Sequence, residues 1–371
     1  MQRKDIGKMK INFNQLDRGY LKHKNEYDEA VITTLESGWY ILGEQGQKFE
    51  KKFAEFIGAK YCVGLNSGLD ALTLAFRALN IGTGDEVIVP ANTYIASVIG
   101  ITENGATPVF VEPDEYYNVD VDKIEEKITS KTKAILAVHL YGQAANLKRI
   151  KELTEKYNLY MIEDCAQSHG AKFEDRTTGT WGDIGCFSFY PTKNLGAFGD
   201  SGAIVTDNEG IYEKIKMLRN YGSKVKYHNE ILGVNSRLDE IQAALLLVKL
   251  SHYCEIRKER ASIAERYITR IKNKNIVLPQ IRNRAEHVWH LFIVQTENRD
   301  RLQKYLLDNG IVTQIHYPIP PHLSQAYKYL GYKEGDFPIT EHLANTIISL
   351  PLYEGMTEEE IDYIIETINK Y

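Results

Sequence analysis

Short apolar runs alternate with stretches of helical periodicity from about residue 60 onward. Tyr61-Cys62-Val63-Gly64-Leu65 reads as a buried strand. Behind it Leu72, Ala75, Phe76 and Leu79 recur at helical spacing, with Asp70, Thr73, Arg77 and Asn80 on the other face. Ser67 stands where an N-cap would begin that helix. The runs at 86–89, 108–111, 134–138 and 159–162 repeat the strand pattern. Val121, Ile124 and Ile128 predict one face of a helix, and Asn146 the cap of another that is buried through Leu147, Ile150 and Leu153. Uniformly apolar strands separated by helices predict a mostly parallel sheet covered on both faces.

After residue 205 the pattern turns helical, with Leu238, Ile241, Leu245 and Val248 on one face of a long helix. A second α/β unit follows, its clearest strand at 288–294. Thr357 and Glu360 form a capping box ahead of a terminal helix carrying Ile361, Ile364 and Ile368. The expected division is a large domain over 1–250 and a small one over 251–371, with the N-terminal segment free to pack on the latter. A chain of 371 residues is too long for one small core.

Hydrophobic residues at 43% and charged residues at 26% are ordinary globular values and do not indicate disorder. A net charge of −5 gives no general attraction to nucleic acid or an anionic membrane, so an anionic substrate needs a local basic patch. Cys62, Cys165, Cys186 and Cys254 show no metal-ligand spacing and fall mostly in apolar runs, which fits reduced buried thiols. The Met1–Lys10 segment lacks the apolar core of a secretory signal, and no run is long enough for a membrane span. A soluble, cytoplasmic protein is expected. Fingerprints for nicotinamide binding, the Walker loop, zinc proteases and the serine nucleophile elbow are all absent.

The most informative residue is Lys193, in Ser188-Phe189-Tyr190-Pro191-Thr192-Lys193-Asn194. It lies between two apolar strands, beside Gly196, Gly199 and Gly202, and downstream of a strand ending in Glu163-Asp164. A lysine so placed suits a Schiff base with a pyridine-ring aldehyde, which points to pyridoxal 5′-phosphate (PLP). Asp164 at a strand's carboxyl end would pair with the protonated ring nitrogen. Alone it also reads as a helix cap or a surface acid.

Ser67-Gly68-Leu69 opens a helix after a strand, where free N–H groups make a phosphate cradle, and Ser188 would add a hydroxyl. Tyr94 would stack on a ring or pack as core. Gln167 would donate to a phenolate oxygen or stand as a surface amide. Gly233-Val234-Asn235-Ser236-Arg237 reads as a donor-rich loop or a capped helix start, and Arg219 to Lys226 as the best local basic patch. The prolines in His316-Tyr317-Pro318-Ile319-Pro320-Pro321-His322 would hold His316 and Tyr317 in place, for function or as a structural loop.

Taken in order, Ser67-Gly68-Leu69-Asp70-Ala71-Leu72, Asn92-Thr93-Tyr94, Glu163 to Gln167, Ser188 to Asn194 and Gly233 to Arg237 resemble the DegT-type nucleotide-sugar aminotransferases. The resemblance runs from roughly residue 10 to the C-terminus. It implies an α/β, aspartate-aminotransferase-like fold type I with PLP as cofactor and no metal. By the resemblance, Lys193 would bond the cofactor aldehyde and move the proton, Asp164 would hold the pyridinium and Gln167 would contact the phenolate oxygen. Tyr94 would stack on the ring, while Ser67, Gly68, Leu69 and Ser188 would bind phosphate. Asn235 would reach across from a second subunit, making a homodimer with shared active sites.

The stretch from Phe189 to Asp200 looks most like enzymes aminating C3 of dTDP-3-keto-6-deoxyhexoses with L-glutamate as donor, in deoxyaminosugar and surface-polysaccharide biosynthesis. There, residues matching Tyr190, His316 and Tyr317 lie beside the hexose, and one matching Lys226 approaches the ligand. The readings weighed against this are amination at C4, a sugar dehydratase (which would carry His in place of Lys193), an amino-acid transaminase, and a non-catalytic PLP regulator. One departure stands out: Ser201 replaces the usual Gly, and a left-handed backbone there would strain it by roughly 1 kcal/mol.

Overall fold

Seven strands make the central sheet: β1 (Tyr61–Leu65), β2 (Glu86–Pro90), β3 (Thr107–Val111), β4 (Thr132–Val138), β5 (Tyr160–Asp164), β6 (Ile184–Ser188) and β7 (Gly202–Thr206). Their spatial order is β1-β7-β6-β5-β4-β2-β3, with β7 alone running against its neighbours. This is a computed structural model that describes residues 9–371; most of the Met1–Lys10 segment lies outside the described residues.

Both faces of the sheet are buried, as the uniformly apolar strands require. Along β6, Cys186 packs into one apolar cluster with Leu72, Phe76 and Val98, while Phe187 packs into another with Phe49 and Phe53. Phe53 meets Phe187 and Phe189 edge-on at 5.0 and 5.1 Å, and Phe49 meets Phe189 at 5.3 Å. Each such pair adds about 0.5–1.5 kcal/mol beyond area burial, so the lysine loop leaves β6 from a stiff aromatic floor.

Register sets the site. Val138 of β4 lies opposite Asp164, which lies opposite Cys186. The ends of three parallel strands therefore converge on one edge, where ligands collect in open α/β sheets. The helix Gly68–Ala78 starts there, capped by Ser67 Oγ, which accepts from the Asp70 N–H at 3.0 Å.

The second core is built on β8 (Phe292–Gln295), antiparallel to β9 (Ile347–Leu350), with the helices Tyr253–Arg270 and Glu358–Lys370. Ile11 joins it by pairing with Ile311. Thr357 and Glu360 make the expected capping box.

The structure differs from the sequence pattern in four places. Residues 288–291 are not strand: the Val288 N–H bonds Gly142 O and the Leu291 N–H bonds Tyr141 O, and Trp289 sits at φ 52°. That apolar run is buried by docking between the two cores rather than by pairing in a sheet. Val121, Ile124 and Ile128 lie on two 3₁₀ turns, Val121–Lys123 and Glu125–Lys127, since the segment is too short for α-helical propagation. The long helix starts at Glu240, past Leu238, and a break at His252 separates Glu240–Ser251 from Tyr253–Arg270. Cys254 is exposed, whereas Cys62, Cys165 and Cys186 are buried and free.

Candidate active site

A cavity of about 580 Å³ opens at the sheet edge between the two cores. Ser67, Gly68, Leu69, Tyr94, Asp164, Gln167, Ser188, Tyr190, Lys193, His316 and Tyr317 all line it. Lys226 and Asn235 do not.

Lys193 is half-buried. Loss of water brings its amine down to about 8, opposed by the Asp164 carboxylate, which holds the charge on. The two groups thus face one another electrostatically across the cavity. Asp164 is buried; its Oδ1 accepts the Ala166 N–H at 3.1 Å and its Oδ2 accepts from Ser97 Oγ at 2.7 Å.

At the other end, the Gly68 and Leu69 N–H groups begin a helix and have no acceptor among the described residues. Gly68 packs directly on Ser188, so a side chain at 68 would collide with it. The result is a bare-backbone cradle with a hydroxyl alongside, which suits an anion.

The small-domain side is tied down by a chain of bonds. Gln167 Oε1 accepts the Tyr141 N–H at 2.6 Å, and its Nε2 donates to Tyr317 Oη at 3.1 Å. Tyr141 Oη donates to His316 O at 2.5 Å. The Tyr317 ring lies 4.9 Å from that of Tyr94. His316 Nδ1 sits 2.7 Å from Ser349 Oγ, and burial, with the Lys193 charge, brings its pKa down to about 4. It is a neutral imidazole.

Lys226 is exposed, its ammonium over the Tyr227 ring at 5.1 Å, and Asn235, nine residues on, is exposed as well; neither lines the cavity of its own chain. Arg219 drops out of the expected basic patch: it is buried, donating to Glu50 Oε1 and Gly64 O at 2.5 and 2.8 Å. Ser201 has no left-handed backbone; its carbonyl accepts the Phe189 N–H at 2.8 Å in continuation of the β6–β7 pairing, so the expected strain is absent.

Sequence reasoning assigned no role to the polar lining residues Ser97, His139, His290 and Gln314. Ser97 and His290 each interrupt an apolar run, and a lone polar residue in such a run is the signal that was available. His290 Nδ1 lies 3.3 Å from Asn194 Oδ1, while Asn194 Nδ2 donates to Val288 O at 2.7 Å. The residue after Lys193 is thereby fastened to the second core.

An amine, a facing carboxylate, an anion cradle and an aromatic ring fit PLP, with Lys193 for its aldehyde, Asp164 for its ring nitrogen and Gly68-Leu69 for its phosphate. The chain belongs to the DegT/DnrJ/EryC1/StrS aminotransferase family, which it matches over residues 22–369, and it is an aminotransferase of the α/β class. It is 51% identical to a dTDP-3-amino-3,6-dideoxy-alpha-D-galactopyranose transaminase of Aneurinibacillus thermoaerophilus, over 97% of this chain and 99% of that protein. The crystal structure of DesV from S. venezuelae, in complex with a ketimine intermediate, is 43% identical with a TM-score of 0.96, over 97% and 98% of the two chains. NtdA from Bacillus subtilis, with bound cofactor PMP, is 32% identical with a TM-score of 0.90, over 99% and 86%.

Proposed function

We propose that this enzyme transfers an amino group from L-glutamate to C3 of a dTDP-3-keto-6-deoxyhexose, giving a dTDP-3-amino-3,6-dideoxyhexose. The observation that carries the reading is the Lys193 amine, lowered to about 8, opening on the same cavity as the buried Asp164. Bound PLP supplies an aldehyde that takes nitrogen from one substrate and delivers it to the ketone of the next. Amination at C3 is supported by the 51% relative, which is named for a 3-amino sugar.

Each side chain then has a task. Lys193, once released, carries the proton between the donor's Cα and the cofactor, which requires its neutral form. Asp164 keeps the ring nitrogen protonated, Gln167 donates to the phenolate oxygen, and Tyr94 covers one ring face. Ser67, Gly68, Leu69 and Ser188 take the phosphate. Tyr190, His316 and Tyr317, which line the same cavity, would contact the hexose, and the neutral His316 would offer it a hydrogen bond without a charge. Asn235 and Lys226 serve the cavity of a second copy, so the working unit is a homodimer. Three buried free thiols suit a reducing, cytoplasmic setting, and the product class suits surface-polysaccharide synthesis.

The purified protein is expected to be yellow, and borohydride to fix the colour on the peptide holding Lys193. Lys193→Ala should lose this label and at least about a thousandfold of turnover; a variant that still transaminates overturns the reading. Feeding both C4 isomers of the 3-keto sugar with glutamate, and reading the product by NMR, assigns the aminated carbon and the preferred configuration.

A further inference from the structure

Asp164 is itself held by a hydroxyl pair at the start of the neighbouring helix. Ser97, fully buried, lies in the first turn of Ile95–Thr102, and its Oγ is 2.7 Å from Asp164 Oδ2. Thr93 Oγ1 is 2.7 Å from Ser97 Oγ. A carboxylate only accepts, so Ser97 spends its single proton on Asp164, and the hydrogen in the second contact must come from Thr93. The pair forms a relay with one direction, Thr93 to Ser97 to Asp164.

A serine inside an apolar helix ordinarily satisfies its hydroxyl on a carbonyl one turn back. Thr102, in the last turn of this helix, does so, donating to Val98 O at 3.2 Å. Ser97 turns instead to Asp164. The helix itself is seated closely: a Cβ on Gly100 would come within 2.7 Å of Leu72 Cβ on the helix Gly68–Ala78. Tyr94, which lines the cavity, caps the same helix. One rigid pair of helix starts therefore carries the phosphate cradle, the ring-face tyrosine and the support for the acid.

We infer that Ser97, oriented by Thr93, is the positioning residue that fixes the Asp164 carboxylate toward the cofactor's ring nitrogen and keeps the proton on that nitrogen. This rests on the assignment of Asp164 to the ring nitrogen made above. Without the Ser97 donor the Asp164 carboxylate would be left one hydrogen bond short and free to turn, and would draw more strongly on the proton it shares with the ring. With PLP bound, the ring would then withdraw less charge, and the Lys193 nitrogen joined to it would keep its proton to higher pH.

The test is a pH titration of the visible band of the Lys193-linked cofactor in the intact holoenzyme, with cofactor retention on dialysis and melting of the apo-protein measured alongside. Ser97→Ala should move the titration midpoint up by roughly 0.5–1 unit and weaken PLP binding about tenfold. Thr93→Val, which keeps the shape but not the hydroxyl, should move the midpoint the same way by less, and Thr93→Ser should restore it. A Ser97→Ala protein that titrates and retains PLP like the parent overturns the relay. If that variant does not fold, the Thr93→Val and Thr93→Ser pair decides, and identical titrations overturn it equally. Absence of any borohydride-fixable band in the parent protein would instead sink the assignment of Lys193 and Asp164, and the relay with it.

Discussion

Two effects oppose one another at Lys193, and their balance sets the pH range in which the residue works. Burial strips water from the ammonium, and the Asp164 carboxylate restores part of the charge, leaving the group near 8 rather than 10.5. At pH 7 roughly one amine in ten is then neutral, against fewer than one in a thousand for an exposed lysine. Capture of PLP by the apo-protein needs that neutral amine. Its rate, followed by absorbance, should rise about tenfold per pH unit and level off above about 8; a rise continuing to 10 would mean that burial does not tune the residue. His316 stands at about 4 and stays neutral throughout, so His316→Asn should leave the acid limb of that profile in place.

At the level of elements, strand alternation decides which of two adjacent acids does chemistry. Asp164 and Glu163 end β5, and successive side chains on a strand point to opposite faces. Asp164 lines the cavity. Glu163 turns away and accepts the Gly179, Trp181 and Gly182 N–H groups at 2.7–2.8 Å, with His139 Nε2 at 3.0 Å. Since His139 Nδ1 accepts the Ala145 N–H, its proton is on Nε2 and it donates to Glu163. Glu163 thus shapes the turn that leads into β6 and on to Lys193. Glu163→Gln replaces acceptor oxygen with a second set of donors and should cost about 2–4 kcal/mol in denaturant unfolding; a loss under 0.5 kcal/mol would show that the turn holds itself.

The same level shows what a linear reading reaches. Ser67, Asn146 and Thr357 announce their helices because a cap is a local bond between near neighbours. The strand edge carrying Asp164 was equally legible, because burial on both faces leaves an unbroken apolar run. Ser97 and His290 were not, since their partners Asp164 and Asn194 lie 67 and 96 residues away and only tertiary packing brings them together. The 288–291 segment misled for a related reason: its side chains are apolar because two cores close on it, and apolarity alone does not reveal what does the burying.

For the whole molecule, the proposed homodimer can be tested at the exposed segment around Asn235. Leu232 is 93% exposed and Tyr227 84%, and Trp39, at 64%, stands two residues from Ile41, which bridges Asp239. Large apolar side chains this exposed suit an association surface, and Lys226 and Asn235, themselves exposed, stand one and three residues from Tyr227 and Leu232 and outside the cavity of their own chain. In the proposed homodimer, Asn235 of each subunit serves the other's phosphate cradle, and the two subunits are related by a two-fold axis. Lys193→Ala removes the amine from a chain but leaves its Asn235, and Asn235→Asp puts a negative charge beside phosphate while leaving its Lys193. Each variant alone should be inactive. Unfolded together in equal amounts and refolded, half of the dimers are mixed, and each mixed dimer has one site in which the amine of one chain meets the asparagine of the other. About a quarter of parental activity should return. If the sites were instead complete within single chains, no mixture would restore any turnover, because every site would carry one of the two lesions.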